Sequence, residues 1–315
     1  MGRPVVLVVG GSGYLGQHLL QEMIEMQGNN PFNVGFTYNS NPQCFDSMKP
    51  MFQSFRVDLQ TGQGLDSIST TLGEPDVVIN CAAISVPRAC ETNPTAALAI
   101  NVPSRLVKWL SSFDKASPLL IHLSTDQVYE GVKSFYKEED ETVPVNMYGK
   151  LKVKAEQFIS SNCSNFAILR SSIIYGPETM SPIPKSLPIQ WIDSVLSQGR
   201  EVEFFHDEYR CPVYIKDVVR TILALTNMWL TDEREMQLVL NVGGPDRLSR
   251  LEMAEVVAKI RCYDSSKIKS ISASLMNRGV ISPADISMDI SKLNRVLGIS
   301  PTPFEDGVTL TLGAN

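Results

Sequence analysis

The opening of the chain restricts its fold more than any other stretch. Pro4-Val5-Val6-Leu7-Val8-Val9 is an unbroken apolar run that passes directly into Gly10-Gly11-Ser12-Gly13-Tyr14-Leu15-Gly16, and Gln17 to Ile24 then follow helical spacing. An apolar run of this kind is a strand buried on both faces, the glycines make a tight turn, and the whole is the start of a dinucleotide-binding unit. The glycines have separate tasks. Gly10 permits the turn, Gly13 lets the backbone approach a pyrophosphate, and Gly16 lets the helix pack closely on the strand. The helix N-terminus, with its free N–H groups and positive dipole end, is the expected phosphate seat.

With 315 residues, the chain is long for one core, and a Rossmann-type domain with a smaller second lobe fits usual domain sizes. A net charge of −6, from 28 Lys and Arg against 34 Asp and Glu, argues against nucleic acid or an anionic membrane as the main partner. Six scattered cysteines (Cys44, Cys81, Cys90, Cys163, Cys211, Cys262) form no CxxC pair, which suits reduced thiols in the cytosol. No signal-like or membrane-length apolar run is evident, so a cytoplasmic location is expected. No metal site is expected either.

Further strand patterns appear at Phe32–Tyr38, Ser54–Val57, Asp76–Asn80, Leu119–Leu123 and Phe166–Ile174, alternating with helical stretches that include Pro94–Leu110. The end of the second strand is where an adenosine ribose should lie. Tyr38, Asn39, Ser40 and Asn41 supply no carboxylate for a 2′-hydroxyl, which favours NADP(H) over NAD(H), although no Arg is present there. Asp58 either accepts from an adenine amino group or simply holds a turn. Cys81-Ala82-Ala83 are small residues at a strand's C-terminal end, the side on which ligands of open α/β sheets bind. Asn101 and His122 read as core residues with local partners.

Beyond Pro177 the regular alternation fades. Met180–Pro188 is rich in Pro and Ser and reads as a loop, a candidate lid. Helices are expected at Ile189–Gln198 and Asp217–Met228, strands at Val202–Phe205 and Gln237–Asn241, and a Ser249/Glu252 capping box should open a helix through Ile260.

The chemistry-bearing set is Thr125, Tyr148 and Lys152. Asn146 can cap a helix on which Tyr148 and Lys152, four apart, share a face while Lys150 points away. A free phenol has a pKa near ~10, so a neighbouring ammonium is expected to favour the phenolate. In the reducing direction Tyr148 would protonate a carbonyl oxygen, Thr125 would hydrogen-bond it, and Lys152 would tune the phenol and hold a nicotinamide ribose.

Through GGSGYLG, NCAA, STDQVY and YGKLK the sequence resembles the extended short-chain dehydrogenase/reductase family. STDQVYEG, the acidic Tyr136–Asp140 linker, NMYGKLKVKAE, LRSSIIYG and Met288–Leu293 make it most similar to the branch of dTDP-4-dehydrorhamnose reductases and methionine adenosyltransferase beta subunits. The resemblance implies a Rossmann-type doubly wound parallel sheet over 1–176, with segments near 210–228 and 237–245 returning to it, and a substrate-binding α/β lobe over 177–315. It implies that Ser12, Gly13, Tyr14 and Leu15 hold pyrophosphate, that Thr37, Tyr38 and Asn39 face the ribose, and that Asp58 and Leu59 flank adenine. Cys81, Ala82, Ala83 and Ser85 would line the adenosine side, Ile173 and Ile174 the nicotinamide, and Thr125, Tyr148 and Lys152 would be catalytic.

Asp126, Gln127 and Arg210 are the substrate-side candidates, Arg210 by its match to a phosphate-contacting position, with an ordinary salt bridge as the alternative. Gln127 stands where sugar dehydratases resembling this chain carry a Glu base, which disfavours dehydration. Ser282-Pro283 replaces an Arg-Pro pair usual in bacterial rhamnose reductases. The expected function is NADP(H)-dependent reduction of a carbonyl, such as a 4-keto-6-deoxy sugar or another small polar ketone. The alternatives are a cofactor-binding regulatory subunit and a sugar-nucleotide epimerase. A homodimer or a catalytic partner subunit are the expected protein partners.

Overall fold

The first strand, β1 (Val5–Val9), divides its side chains between two cores. Val6 and Val8 enter one apolar cluster and Leu7 and Val9 the other, because successive strand residues face opposite sides. Both faces therefore need a helical cover, which is the condition for a doubly wound sheet. A computed structural model describes residues 2–26, 31–40, 52–113, 117–232 and 235–313; Asn41 and Cys44 lie outside them.

The chain alternates strands and helices through its first half: α1 (Tyr14–Glu25), β2 (Asn33–Tyr38), β3 (Gln53–Arg56), α2 (Leu65–Thr71), β4 (Val77–Asn80), α3 (Pro87–Thr92), α4 (Pro94–Asn101), α5 (Ser104–Leu110), β5 (Leu119–Thr125), α6 (Met147–Asn162) and β6 (Phe166–Ser171). The second half contributes β7 (Ile174–Tyr175), α7 (Pro188–Leu196), β8 (Val202–Phe205), β9 (Tyr209–Arg210), β10 (Val213–Tyr214), α8 (Ile215–Asp232), β11 (Gln237–Val242), β12 (Leu248–Ser249), α9 (Arg250–Arg261), β13 (Ile268–Ile271), α10 (Ser291–Leu297) and α11 (Phe304–Leu312).

Seven strands form the central sheet in the order β11-β6-β5-β4-β1-β2-β3. Every pairing in it is parallel. The order reverses direction between β1 and β4, so a crevice opens at their C-terminal ends, where the glycine turn and Cys81-Ala82-Ala83 lie. β11 joins β6 from late in the chain, and three two-stranded pairs, β7 with β10, β9 with β12 and β8 with β13, build the region beyond.

Two sequence expectations need correction. The helix expected over Pro94–Leu110 is two, because Val102 is extended (φ −95°, ψ 109°) ahead of Pro103, whose ring disfavours a helical predecessor. The strand expected over Phe166–Ile174 ends at Ser171, and the chain leaves the sheet so that Ile174 pairs with Val213 of β10. The Ser249/Glu252 capping box is present, with hydrogen bonds of 2.7 and 3.1 Å in the two directions.

Candidate active site

The glycine turn is shaped by close backbone approach. Gly10 has φ +80°, and a Cβ there would stand 2.9 Å from the backbone of Ala82, across the crevice. A Cβ at Gly16 would overlap the carbonyl oxygen of Gly10, whereas at Gly13 the nearest atom would be 3.3 Å away. Helix α1 starts with no side-chain cap and no acid in its first turn, so its leading N–H groups are left for an anion. These residues fit a dinucleotide pyrophosphate.

The remaining residues expected on the cofactor side sort into two kinds. Thr37 is buried and turns its hydroxyl back to accept from Gly10 N (3.0 Å), while its carbonyl accepts from Gly11 N (2.9 Å), so it braces the glycine turn. Asp58 accepts from Gln60 N (2.8 Å) and from the Thr61 hydroxyl (3.1 Å), as a turn-holding Asp does. Tyr38 and the exposed Asn39 end β2, and Leu59, Cys81, Ala82, Ala83, Ser85, Ile173 and Ile174 are half-buried at or near the crevice side of the strands. Burial pushes the Cys81 thiol up to about 12, against the opposing pull of Lys152, so it stays protonated.

One residue beside the end of β2 carried no mark in the sequence. Arg56, at the end of β3, pairs in register with Tyr38 and donates from Nε to Asn39 O (3.3 Å), which brings a guanidinium to the C-terminal end of β2. The linear stretch after β2 holds no Arg; strand pairing supplies one from seventeen positions further along.

Tyr148 and Lys152 lie on the buried face of α6, and Lys150 is exposed, as the four-residue spacing requires. Asn146 caps the helix by accepting from Gly149 N (2.9 Å), and its amide donates to Gln127 Oε1 (2.8 Å) and Ile281 O (3.0 Å). Behind this surface, Ser124 bonds Glu156, which pairs with Arg170 (2.8 Å), which in turn donates to Tyr129 (3.0 Å). This buried network ties β5, α6 and β6 together. Thr125 donates to Asp126 Oδ1 (3.1 Å), and its hydroxyl acts on the Tyr148 phenol.

Electrostatics at the pair depart from the sequence expectation. Burial raises the phenol of Tyr148 well above its ordinary range; Thr125 opposes this and Asp126 and Cys90 add to it, while Lys152 is not among the groups acting on it. Lys152 instead donates from Nζ to Leu123 O (2.6 Å), and burial lowers its ammonium to about 8 against the raising influence of Glu156. Burial therefore holds Tyr148 as a phenol, without the shift toward phenolate expected from Lys152.

The three substrate-side candidates are engaged elsewhere. Asp126 is buried, accepting from Ser172 (2.9 Å) and Thr125, with its carboxyl raised by burial against Arg210. Gln127 holds Asn146. Arg210 is buried and donates to the carbonyls of Tyr209 (2.7 Å), Pro283 (2.9 Å) and Ala284 (3.2 Å) and to Ser282 (3.0 Å), so it clamps the 282–284 segment and, among the described residues, forms no salt bridge. A cavity of ≈ 200 Å³ lies alongside, walled by Ile173, Trp191, Phe204 and Phe205 and carrying Arg250, Glu208 and Arg278. Glu208 is paired with Arg278, while burial and the nearby Arg210 lower Arg250 to about 10. Ile173, expected beside the nicotinamide, lines this cavity. Arg250 and Arg278 carried no motif that could have marked them.

The family model described as "RmlD substrate binding domain" matches residues 4–314. The chain belongs to this RmlD family, one of the extended short-chain dehydrogenases/reductases. Its fold and family are those of NAD(P)-dependent oxidoreductases of the short-chain dehydrogenase/reductase type. Among curated relatives, methionine adenosyltransferase 2 subunit beta of Pongo abelii is 30% identical over 98% of this chain and 86% of the relative. The probable low-salt glycan biosynthesis reductase Agl14 of Haloferax volcanii is 28% identical over 95% of this chain and 94% of its own. Among solved structures, dTDP-4-dehydrorhamnose reductase from Bacillus anthracis in complex with NADP superposes with a TM-score of 0.77 at 18% identity, covering 98% of both chains. At that identity the likeness concerns the fold of this RmlD family member.

Proposed function

We propose that the protein is an NADP(H)-dependent reductase that delivers hydride to the carbonyl of a small polar ketone, in the class of nucleotide-linked keto sugars. The observation that carries the reading is the buried phenol of Tyr148, on one face of α6 with Lys152 and under the influence of the Thr125 hydroxyl. Reduced nicotinamide, when bound, supplies the hydride. Tyr148 donates its phenolic proton to the carbonyl oxygen as negative charge develops there, and Thr125 orients that oxygen. Lys152, anchored on Leu123 O, is placed to hold the ribose. The pyrophosphate would rest on the backbone of Ser12, Gly13, Tyr14 and Leu15, and Arg56 supports NADP(H) because a guanidinium beside Asn39 suits a 2′-phosphate.

Substrate would enter between the dinucleotide-binding part (1–176) and the lobe that follows (177–315). The aromatic walls of the cavity suit a planar ring, and Arg250, which forms no ion pair among the described residues, suits a phosphate. The test is oxidation of NADPH with a panel of keto sugars and their nucleotide conjugates. The expected result is turnover that falls about 10² to 10⁴-fold in Tyr148→Phe with NADPH affinity unchanged; equal rates in the two proteins would remove the reading.

A second reading is supported by the relative at 30% identity named a methionine adenosyltransferase subunit. In it the chain binds the cofactor and regulates a catalytic partner. Addition of the protein to a methionine adenosyltransferase catalytic subunit would then change that subunit's kinetics, and unchanged kinetics with no co-purification would dismiss it.

A further inference from the structure

The segment 177–187 does not hang free beside the crevice. Tyr14 donates its phenolic proton to Pro177 O (3.0 Å), and His18 Nε2 lies 3.2 Å from the same carbonyl. Further along, the buried amide of Gln17 accepts from Ser181 N (3.0 Å) and donates to Ser181 O (3.1 Å), a reciprocal pair, and donates also to Ser12 O (3.1 Å). The segment is thus fastened to the helix whose N-terminus forms one lip of the crevice.

It then reaches the other lip. Lys185 donates from Nζ to the hydroxyl of Ser85 (3.2 Å), three residues beyond the Ala82 that abuts Gly10. The strand ends carrying these lips are neighbours, since β1 pairs with β4. A strap therefore runs from Gln17, which also holds Ser12 O, across to Ser85, joining the two lips of the crevice.

The chemistry of Lys185 is what singles it out. Among the described residues its ammonium has a neutral hydroxyl as its hydrogen-bond partner and no carboxylate within ion-pair distance. The protein around it lowers its pKa, although the side chain itself is exposed to solvent. The side chain stays exposed, so an anion arriving beside it can take the ammonium from the Ser85 hydroxyl.

We infer that residues 177–187 form a strap over the bound dinucleotide, with Lys185 reaching from it to the pyrophosphate opposite the α1 N-terminus. The inference rests on the dinucleotide reading above. Lys185 exchanges the Ser85 hydroxyl for a phosphate oxygen, while Gln17 and Ser181 hold the strap at its fastened end. The pyrophosphate is then met from two sides, by backbone N–H groups below and an ammonium above.

Calorimetric titration separates this inference from the reading beneath it, using NADPH and adenosine 2′-monophosphate, which carries the ribose-end phosphate and lacks the pyrophosphate. Lys185→Ala is expected to weaken NADPH about tenfold while leaving adenosine 2′-monophosphate within about twofold, and Lys185→Arg to restore most of the NADPH affinity. If the wild type binds NADPH and Lys185→Ala binds it equally well, or if the two probes weaken together, the strap contact is wrong and the cofactor reading stands. If the wild type binds neither NADPH nor NADH, the cofactor reading itself is overturned.

Discussion

The Cα of Gly149 sits against the carbonyl oxygen of Gln127, so closely that a Cβ at 149 would overlap that oxygen and stand 2.8 Å from Pro144 Cβ. The first turn of α6, which carries Tyr148, is thereby seated on the short helical turn at Asp126–Val128 that follows Thr125. Gly149→Ala must push the two apart. A destabilisation of about 1 to 3 kcal/mol is expected from such overpacking, read as a lower Tm, with a fall in kcat larger than the stability loss explains. An unchanged kcat would mean that the seat does not position Tyr148.

Lys152 gives a pH-dependent prediction. Its folded-state pKa of about 8 lies below the ordinary 10.5, so between these values the unfolded chain holds more protons than the folded one, and this group makes stability rise with pH across that window. Below about 8 the buried ammonium is charged in both states and its cost is fully present. Lys152→Met should accordingly be more stable than the wild type at neutral pH, by up to roughly 3 kcal/mol less the lost bond to Leu123 O, and the gain should vanish near pH 10.5. Denaturant titrations at pH 7 and 10.5 measure it. Turnover of the wild type should decline as pH rises through about 8, where the ammonium is lost.

Arg56 bears on cofactor choice. Removal of the guanidinium in Arg56→Ala should raise the Kd for NADPH about tenfold and leave that for NADH unchanged, because only NADPH carries the 2′-phosphate. Equal changes for both would place Arg56 outside the ribose site.

Glu156 and Arg170 test the support behind the site. Both are nearly buried and paired at 2.8 Å. Glu156→Ala strands a buried guanidinium and should cost about 3 to 5 kcal/mol, whereas Glu156→Leu combined with Arg170→Met should recover most of it. Chemical denaturation of the three proteins reads the difference directly.

Much of this was written locally. The VVLVV run, the glycine turn and the helix after it each depend on neighbours in sequence, so the parallel sheet and its phosphate-binding corner follow from periodicity and from the freedom of Gly10 at positive φ. Tyr148 and Lys152 share a face because helical geometry puts four-apart residues together, and the Asn146 and Ser249 caps were legible for the same reason. What depends on distant segments was not. The break at Pro103 was visible in the residue yet outweighed by an apolar pattern that continued past it.

The state of Tyr148, the direction of Lys152, the arrival of Arg56 beside Asn39, the engagement of Arg210 with residues 282–284, and the strap joining Gln17 to Ser85 all arise between parts of the chain that fold together from far apart. Charge and hydrogen-bond partners are properties of a place in space, and burial sets their strength. The sequence by itself determined which groups are present and along which strands and helices they lie. Only the tertiary structure decided which of them meet, since packing chooses partners by proximity after the chain has closed on itself.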